Sequence, residues 1–189
     1  MPYFRLTDIA VIGGWCQYSP YDDVEVVSFH NDSIHLANKT LPSLPVGSYS
    51  IQGAQLPNGD LLVAHGGWTG SICNDEYLLY IKDSPCWIKF GKMMKGRSTH
   101  SVIVGNKMYS CGGYDSASDV VSYHEEFSYS LMGDLDQGVT EKKELSIALR
   151  AHTATVLDES RFIVCGGDNR KNVRKKYQNI KKDQIFKES

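Results

Sequence analysis

The sequence predicts an all-β chain built from four similar units, and two observations carry that expectation. A short apolar run ends in a double glycine four times: residues 9–12 lead into Gly13-Gly14, 61–65 into Gly66-Gly67, 108–111 into Gly112-Gly113 and 162–165 into Gly166-Gly167. The second glycines lie 53, 46 and 54 residues apart, a period that marks an array of structural repeats. Each such run is also flanked by further extended segments and turn formers, so every unit reads as several short strands in chain order. Paired glycines suit a strand that must stop and turn where φ is positive or where no side chain fits.

Each unit supplies its own strands. The first begins with a shortened run, Tyr3 to Leu6, turning at Thr7-Asp8; after Gly13-Gly14 come Val24–Phe29 and Ile34–Leu36. In the second, Gln52–Leu56 turns at Pro57–Asp60, and Tyr77–Ile81 and Trp87–Phe90 follow the glycines. The third has Ser101–Val104, a turn at Gly105–Lys107, then Val120–Tyr123 and Phe127–Leu131. The fourth has Thr153–Leu157, a turn at Asp158–Ser160, then Val173–Tyr177 and Ile185-Phe186. Four short antiparallel strands connected in order make the meander of a propeller blade. The units span about residues 1–45, 46–95, 96–148 and 149–189.

This pattern resembles the kelch repeat over nearly the whole chain. In that family a Tyr on the third strand and a Trp on the fourth follow the double glycine. Tyr80 and Trp87 match both, and Tyr123 and Tyr177 match the first. The family also carries an Arg, often with a His, in the link between blades; Arg97 with His100 and Arg150 with His152 are similar. The first unit has Phe29 near the Tyr place and no Trp, the link at 46–49 lacks the Arg, and the fourth unit has Phe186 near the Trp place. The resemblance implies a kelch-type β-propeller of about four blades. The eight paired glycines, Tyr80, Trp87, Tyr123 and Tyr177 are then structural. Kelch propellers usually close with six or seven blades. A four-unit chain is therefore expected to be part of a larger ring, or to self-associate through its open first and last blades, a closed four-blade ring being the unusual alternative.

Composition fits a soluble all-β domain. The chain has 189 residues, 41% hydrophobic and 22% charged, with formal net charge −2. That balance gives no general case for nucleic acid, and no apolar run approaches the roughly 20 residues of a membrane span. The stretch Arg170–Ser189 is the only charge run: solvated outer strands, a localisation signal or a contact for an acidic partner would each account for it. Five cysteines, at 16, 73, 86, 111 and 165, make no disulfide framework and no Cys-x-x-Cys pair, although Cys73 and Cys86 could pair in principle. Without a visible leader they point to a reducing, cytoplasmic setting. The sequons at Asn31 and Asn38 are the contrary signal.

No catalytic, metal or cofactor site is expected. The six histidines are scattered, and His100 with His152 reads first as a pair of hydrogen-bonding ties between blades. Phosphate-loop, nucleophile-elbow and His-Glu-x-x-His motifs are missing. Function is sought in the loops after the glycines, which carry Trp15, Trp68, Tyr114 with Asp115, and Asn169. In kelch propellers these loops and the links open on one face that takes peptides. By that resemblance Arg97 and Arg150 stand on its rim, where a planar guanidinium suits carboxylates. The aromatics are either rigid recognition surface or packing within a unit, and the arginines either ligand contacts or struts. The expectation is a non-catalytic module for proteins or peptides with an acidic motif, acting as scaffold or substrate-recognition adaptor of a ubiquitin ligase. The alternative is a secreted galactose-oxidase-like or carbohydrate-binding propeller.

Overall fold

The structure is a computed structural model that describes residues 8–30, 33–56, 61–104, 107–128, 139–145, 148–169, 177–181 and 184–185. The run at 3–6, the sequon at Asn31, Leu131, Phe186, the turns at 57–60 and 105–106 and most of the basic stretch 170–189 lie outside them. None of the described residues is helical; they form four antiparallel sheets, each a meander.

The first sheet holds β1 (Asp8–Trp15), β2 (Pro20–His30) and β3 (Ser33–Thr40). The second holds β4 (Gln52–Gln55), β5 (Leu61–His65), β6 (Glu76–Ile81) and β7 (Ile88–Lys92). β8 (Arg97–Val104), β9 (Lys107–Asp115), β10 (Tyr123–Ser128) and β11 (Val139–Glu144) form the third. β12 (Arg150–Asp158), β13 (Arg161–Asp168), β14 (Tyr177–Lys181) and β15 (Gln184–Ile185) form the fourth. The double glycines fall in or just after the same strand of each unit: β1, β5, β9 and β13.

Two expected strands of the third unit are misplaced: its third strand is Tyr123–Ser128, not 120–123, where Val120 makes only an isolated bridge to Tyr114. The third unit ends on Val139–Glu144, not on 127–131; Phe127 belongs to β10, opposite Met108. Val139–Glu144 is polar almost throughout, so it carries no alternating apolar signal.

Successive sheets pack face to face, and strand alternation decides which residue faces which neighbour. Counting back from the glycines, the first and third residues point to the following sheet and the second and fourth to the preceding one. Ala10 and Ile12 join Val24, Val26, Ala64, Leu78 and Tyr80 in the core between sheets one and two. Val63, Tyr77 and Leu79 meet Met108 and Phe127 between sheets two and three. Tyr109 and Cys111 meet Phe162 and Val164 between sheets three and four. Trp87 lies in the first of these cores, 5.7 Å from the Tyr80 ring, and its indole N–H donates to the Pro42 carbonyl at 2.8 Å.

The glycines make the joint between units. The N–H of Gly14 donates to the Ser48 carbonyl at 2.9 Å, that of Gly67 to Arg97 at 3.2 Å and that of Gly113 to Leu149 at 2.8 Å. Each acceptor is in the link of the next unit. The preceding glycine has positive φ and lies under the same carbonyl. A Cβ on Gly13 would stand 2.3 Å from the Ser48 oxygen, on Gly66 2.5 Å from that of Arg97, and on Gly112 2.5 Å from that of Leu149. At Gly166, in the last sheet, a Cβ would meet nothing within 4 Å.

The register also separates the tyrosines that the sequence pattern groups. Tyr77 stands opposite His65 and Tyr177 opposite Cys165, each the residue before a double glycine. Tyr80 lies three residues further on, opposite Leu62. His124 takes the matching place in the third unit, with Tyr123 one residue before it on the other face.

Candidate functional site

The loops after the glycines gather at one end of the sheets. Trp15 ends β1 and is 53% exposed, its ring edge-on to Tyr49 at 5.0 Å. The backbone of Tyr49 pairs with that of Trp68, and Trp68 in turn pairs with Cys73. Cys73 reaches the third unit: its N–H donates to Ser116 Oγ at 2.8 Å and its thiol to the Tyr114 carbonyl at 3.5 Å. Trp15, Trp68 and Tyr114 are thus brought to one end, the last two half-buried.

The arginines do not share one role. Arg97 is fully buried. Its Nη1 meets Glu125 Oε1 at 2.5 Å, its Nη2 donates to the Ser110 carbonyl at 3.2 Å, and its guanidinium carbon lies 5.0 Å from the centre of the Tyr123 ring. Glu125 also accepts the Met94 N–H at 3.2 Å. The expected rim position is corrected for Arg97: it is a strut inside the third unit. Arg150 is half-buried and pairs with Asp168 at 3.0 Å. In the register, the residue of the fourth unit matching Glu125 is Gln178, which brings no carboxylate. Asp115 is buried too, ion-paired with Lys95. Burial opposes its ionisation, but Lys95 and nearby backbone amides outweigh that and hold its carboxyl below the usual range. Asn169 is half-buried beside Asp168.

A groove of about 700 Å³ opens between the loops of units two and three. Thr69, Ser71 and Ile72 line one side, Ser116 and Ala117 the other, and Lys89, Lys92 and Lys95 run along it. Ile72 and Val46, both in its lining, are 59% and 46% exposed. Each lysine already faces a carboxylate: Lys89 meets Glu76 at 2.6 Å, Lys92 meets Asp75 at 3.2 Å, and Lys95 meets Asp115. The sequence reading missed these lysines. Their signal was the spacing of three, Lys89, Lys92 and Lys95, across the end of β7 and the following link.

A smaller cavity, about 240 Å³, lies where β4, β8 and β12 approach one another, lined by Ser50, Thr99, His100, Tyr114 and His152 among others. The His100 and His152 rings stand 6.0 Å apart, edge to face. The expected hydrogen-bonding ties are corrected for His152, whose ring nitrogens make no well-formed hydrogen bond. The two histidines are also not equivalent. Arg97 and His100 are three apart, Arg150 and His152 two, and β8 has a bulge between Ser98 and His100. One residue of offset turns a side chain to the opposite face, so His100 looks forward and His152 back. Burial pushes His152 down to about 4, as does the neighbouring His100, against the carbonyls of Cys111 and Leu149 that favour its protonation.

Deeper still, His65 shares a 2.7 Å hydrogen bond with Ser101 Oγ, which donates to Ser110 Oγ at 3.0 Å. Burial, then the charge of Arg97, push His65 down to about 3, so it is neutral. The pair has the elements of a nucleophile and a base, but both residues are buried and Nδ1 of His65 has no partner to orient it. It ties sheet two to sheet three. Among the described residues no three His, Cys, Asp or Glu side chains converge on a metal-sized point. No helix among them is long and apolar enough to cross a membrane. All five cysteines are unpaired. Compared with known proteins, the chain matches no protein-family model and no significantly similar curated protein.

Proposed function

We propose that the four sheets are blades of a kelch-type β-propeller and that the chain is a non-catalytic module that binds proteins or peptides, as a scaffold or substrate-recognition adaptor in a reducing compartment. The groove between the loops of units two and three carries this reading. It joins exposed apolar surface, Ile72 and Val46, to a row of three lysines at the end where Trp15, Trp68 and Tyr114 gather. Such a groove suits an extended segment with one apolar anchor flanked by Asp or Glu. The acidic flanks would take Lys89 and Lys92 over from Glu76 and Asp75 and share Lys95 with the buried Asp115, and the anchor supplies most of the affinity because exposed ion pairs contribute little. In this reading the acid-binding charges are Lys89, Lys92 and Lys95, with Arg97 as their internal support.

Panning a random peptide library against the folded chain tests the reading. Enriched peptides should carry acidic residues around an aliphatic or aromatic one. Ile72→Asp should weaken them by on the order of tenfold or more, the effect of losing one buried anchor, with the melting curve unchanged. Peptides that ignore Ile72→Asp and the charge reversal Lys92→Glu would overturn it.

A further inference from the structure

The fold leaves the hydrogen-bonding capacity of His152 largely unused. Its ring is only 7% exposed, on the wall of the cavity where β4, β8 and β12 approach one another. Neither ring nitrogen has a well-formed partner. Buried polar groups in that condition are uncommon. The carbonyls of Cys111 and Leu149 lie close enough to favour an imidazolium, and His100 faces the ring from β8 at 6.0 Å.

What an imidazolium there lacks is a counterion. None of the described residues lining the cavity is an Asp, Glu, Lys or Arg. The charged side chains on the surrounding strands are engaged elsewhere: Arg97 with Glu125, Asp115 with Lys95, Arg150 with Asp168 and Arg161 with Asp158. Besides the histidines, the titratable residue in the lining is Tyr114. Burial holds Cys111, on β9 behind it, as the thiol. The rim has an unusual backbone. Ser50 and Ala151, both in the lining, have φ of 52° and 50°, a region that residues other than glycine enter infrequently. Strain of that kind gathers at ligand clamps. The volume of 240 Å³ equals about eight waters at ~30 Å³ each, enough for a molecule of a few carbons.

We propose that this cavity binds a small monocarboxylic acid, its carboxylate between the His152 and His100 rings and its short chain against Ile51 and Ala151. Carboxylate and neutral imidazole take up one proton from solvent and form an imidazolium–carboxylate pair. No net charge then enters the cavity, and the pair is held by charge-assisted hydrogen bonds. Because the rings face each other, one of them is charged at a time. The cavity shares no lining residue with the lysine groove.

Titration with propionate, followed by nuclear magnetic resonance of isotope-labelled histidine at constant ionic strength in sodium chloride, tests this. Burial, then His100, hold His152 at about 4, and burial lowers His100, so the rings are neutral before the acid arrives. Propionate should shift both rings saturably, toward imidazolium values. It should bind about tenfold more tightly at pH 6.5 than at pH 7.5, the effect of one proton per ligand. Propionamide, its uncharged twin, should leave both rings unmoved. His152→Phe should abolish the saturable shift of His100. Should that variant unfold, His100→Phe, at a half-buried position, should weaken the response of His152 on the order of tenfold, the loss of one hydrogen bond to a charged group. Rings that never shift, an affinity independent of pH, or propionamide acting as propionate does would each overturn the proposal. So would tighter binding of the peptide acetyl-Gly-Glu-Gly-amide than of propionate, which would make the cavity a pocket for a partner's acidic side chain.

Discussion

Arg97 and Arg150 begin the same strand in neighbouring units, and their surroundings set different costs for losing them. Arg97→Ala leaves Glu125 fully buried without its cationic partner and removes the donor that Nη2 supplies to the Ser110 carbonyl. Breaking a buried pair from one side costs about 3–5 kcal/mol. Arg150→Ala removes a half-exposed pair with Asp168, the kind of contact worth about 1 kcal/mol or less. Chemical denaturation of the two variants should therefore differ by several-fold in lost stability. Equal losses would contradict the strut assignment for Arg97. The sequence could not make this distinction: both arginines precede a strand, and what separates them is whether Glu125 or Gln178 stands across the sheet, which only the register supplies.

At the scale of strands, two buried histidines on either side of the third sheet make the fold depend on pH. His65 on β5 and His152 on β12 sit at about 3 and about 4 in the folded chain, against 6.5 for a free imidazole. Both are held neutral, so their full contribution is present above pH 6.5. It falls as pH drops toward the folded values, because the unfolded chain takes up the protons first. Each histidine then withdraws about 1.4 kcal/mol per pH unit below 6.5. Denaturant midpoints should decline from pH 7 to pH 5, and His65→Asn should reduce that slope by about one proton. A midpoint that is flat over this range would contradict the burial of both rings.

Strand order was largely legible because alternating Val, Ile, Tyr and Phe runs stand between turn formers. The exceptions have local causes. β11 is too polar to show a period, and the bulge between Ser98 and His100 turns the histidines toward each other although the motifs look alike. Of the expected binding residues, Trp15, Trp68 and Tyr114 do come together, whereas Arg97 and Asp115 are interior. The groove itself was not legible. It is made by two loops more than 40 residues apart, stitched by the 2.8 Å bond from Cys73 to Ser116.

Over the whole molecule, the repeated joint is what makes four sheets one array. Trp87 shows how far the links contribute. Trp87→Phe keeps most of the apolar burial but strands the Pro42 carbonyl, and should cost about 1–2 kcal/mol in a denaturation curve; no measurable cost would show that water replaces the indole.

The glycine series tests the central claim most directly, namely that each unit locks onto the next through its first glycine. Alanine at Gly13, Gly66 or Gly112 would force Cβ to within 2.3–2.5 Å of a backbone oxygen of the following link. The same change at Gly166 meets open space and bears only the left-handed backbone cost of about 1 kcal/mol. Denaturation of the four single variants at submicromolar concentration should give three large losses, each above about 2 kcal/mol, and one small one at Gly166. Four equal losses, or a loss at Gly166 as large as at Gly112, would contradict the joint.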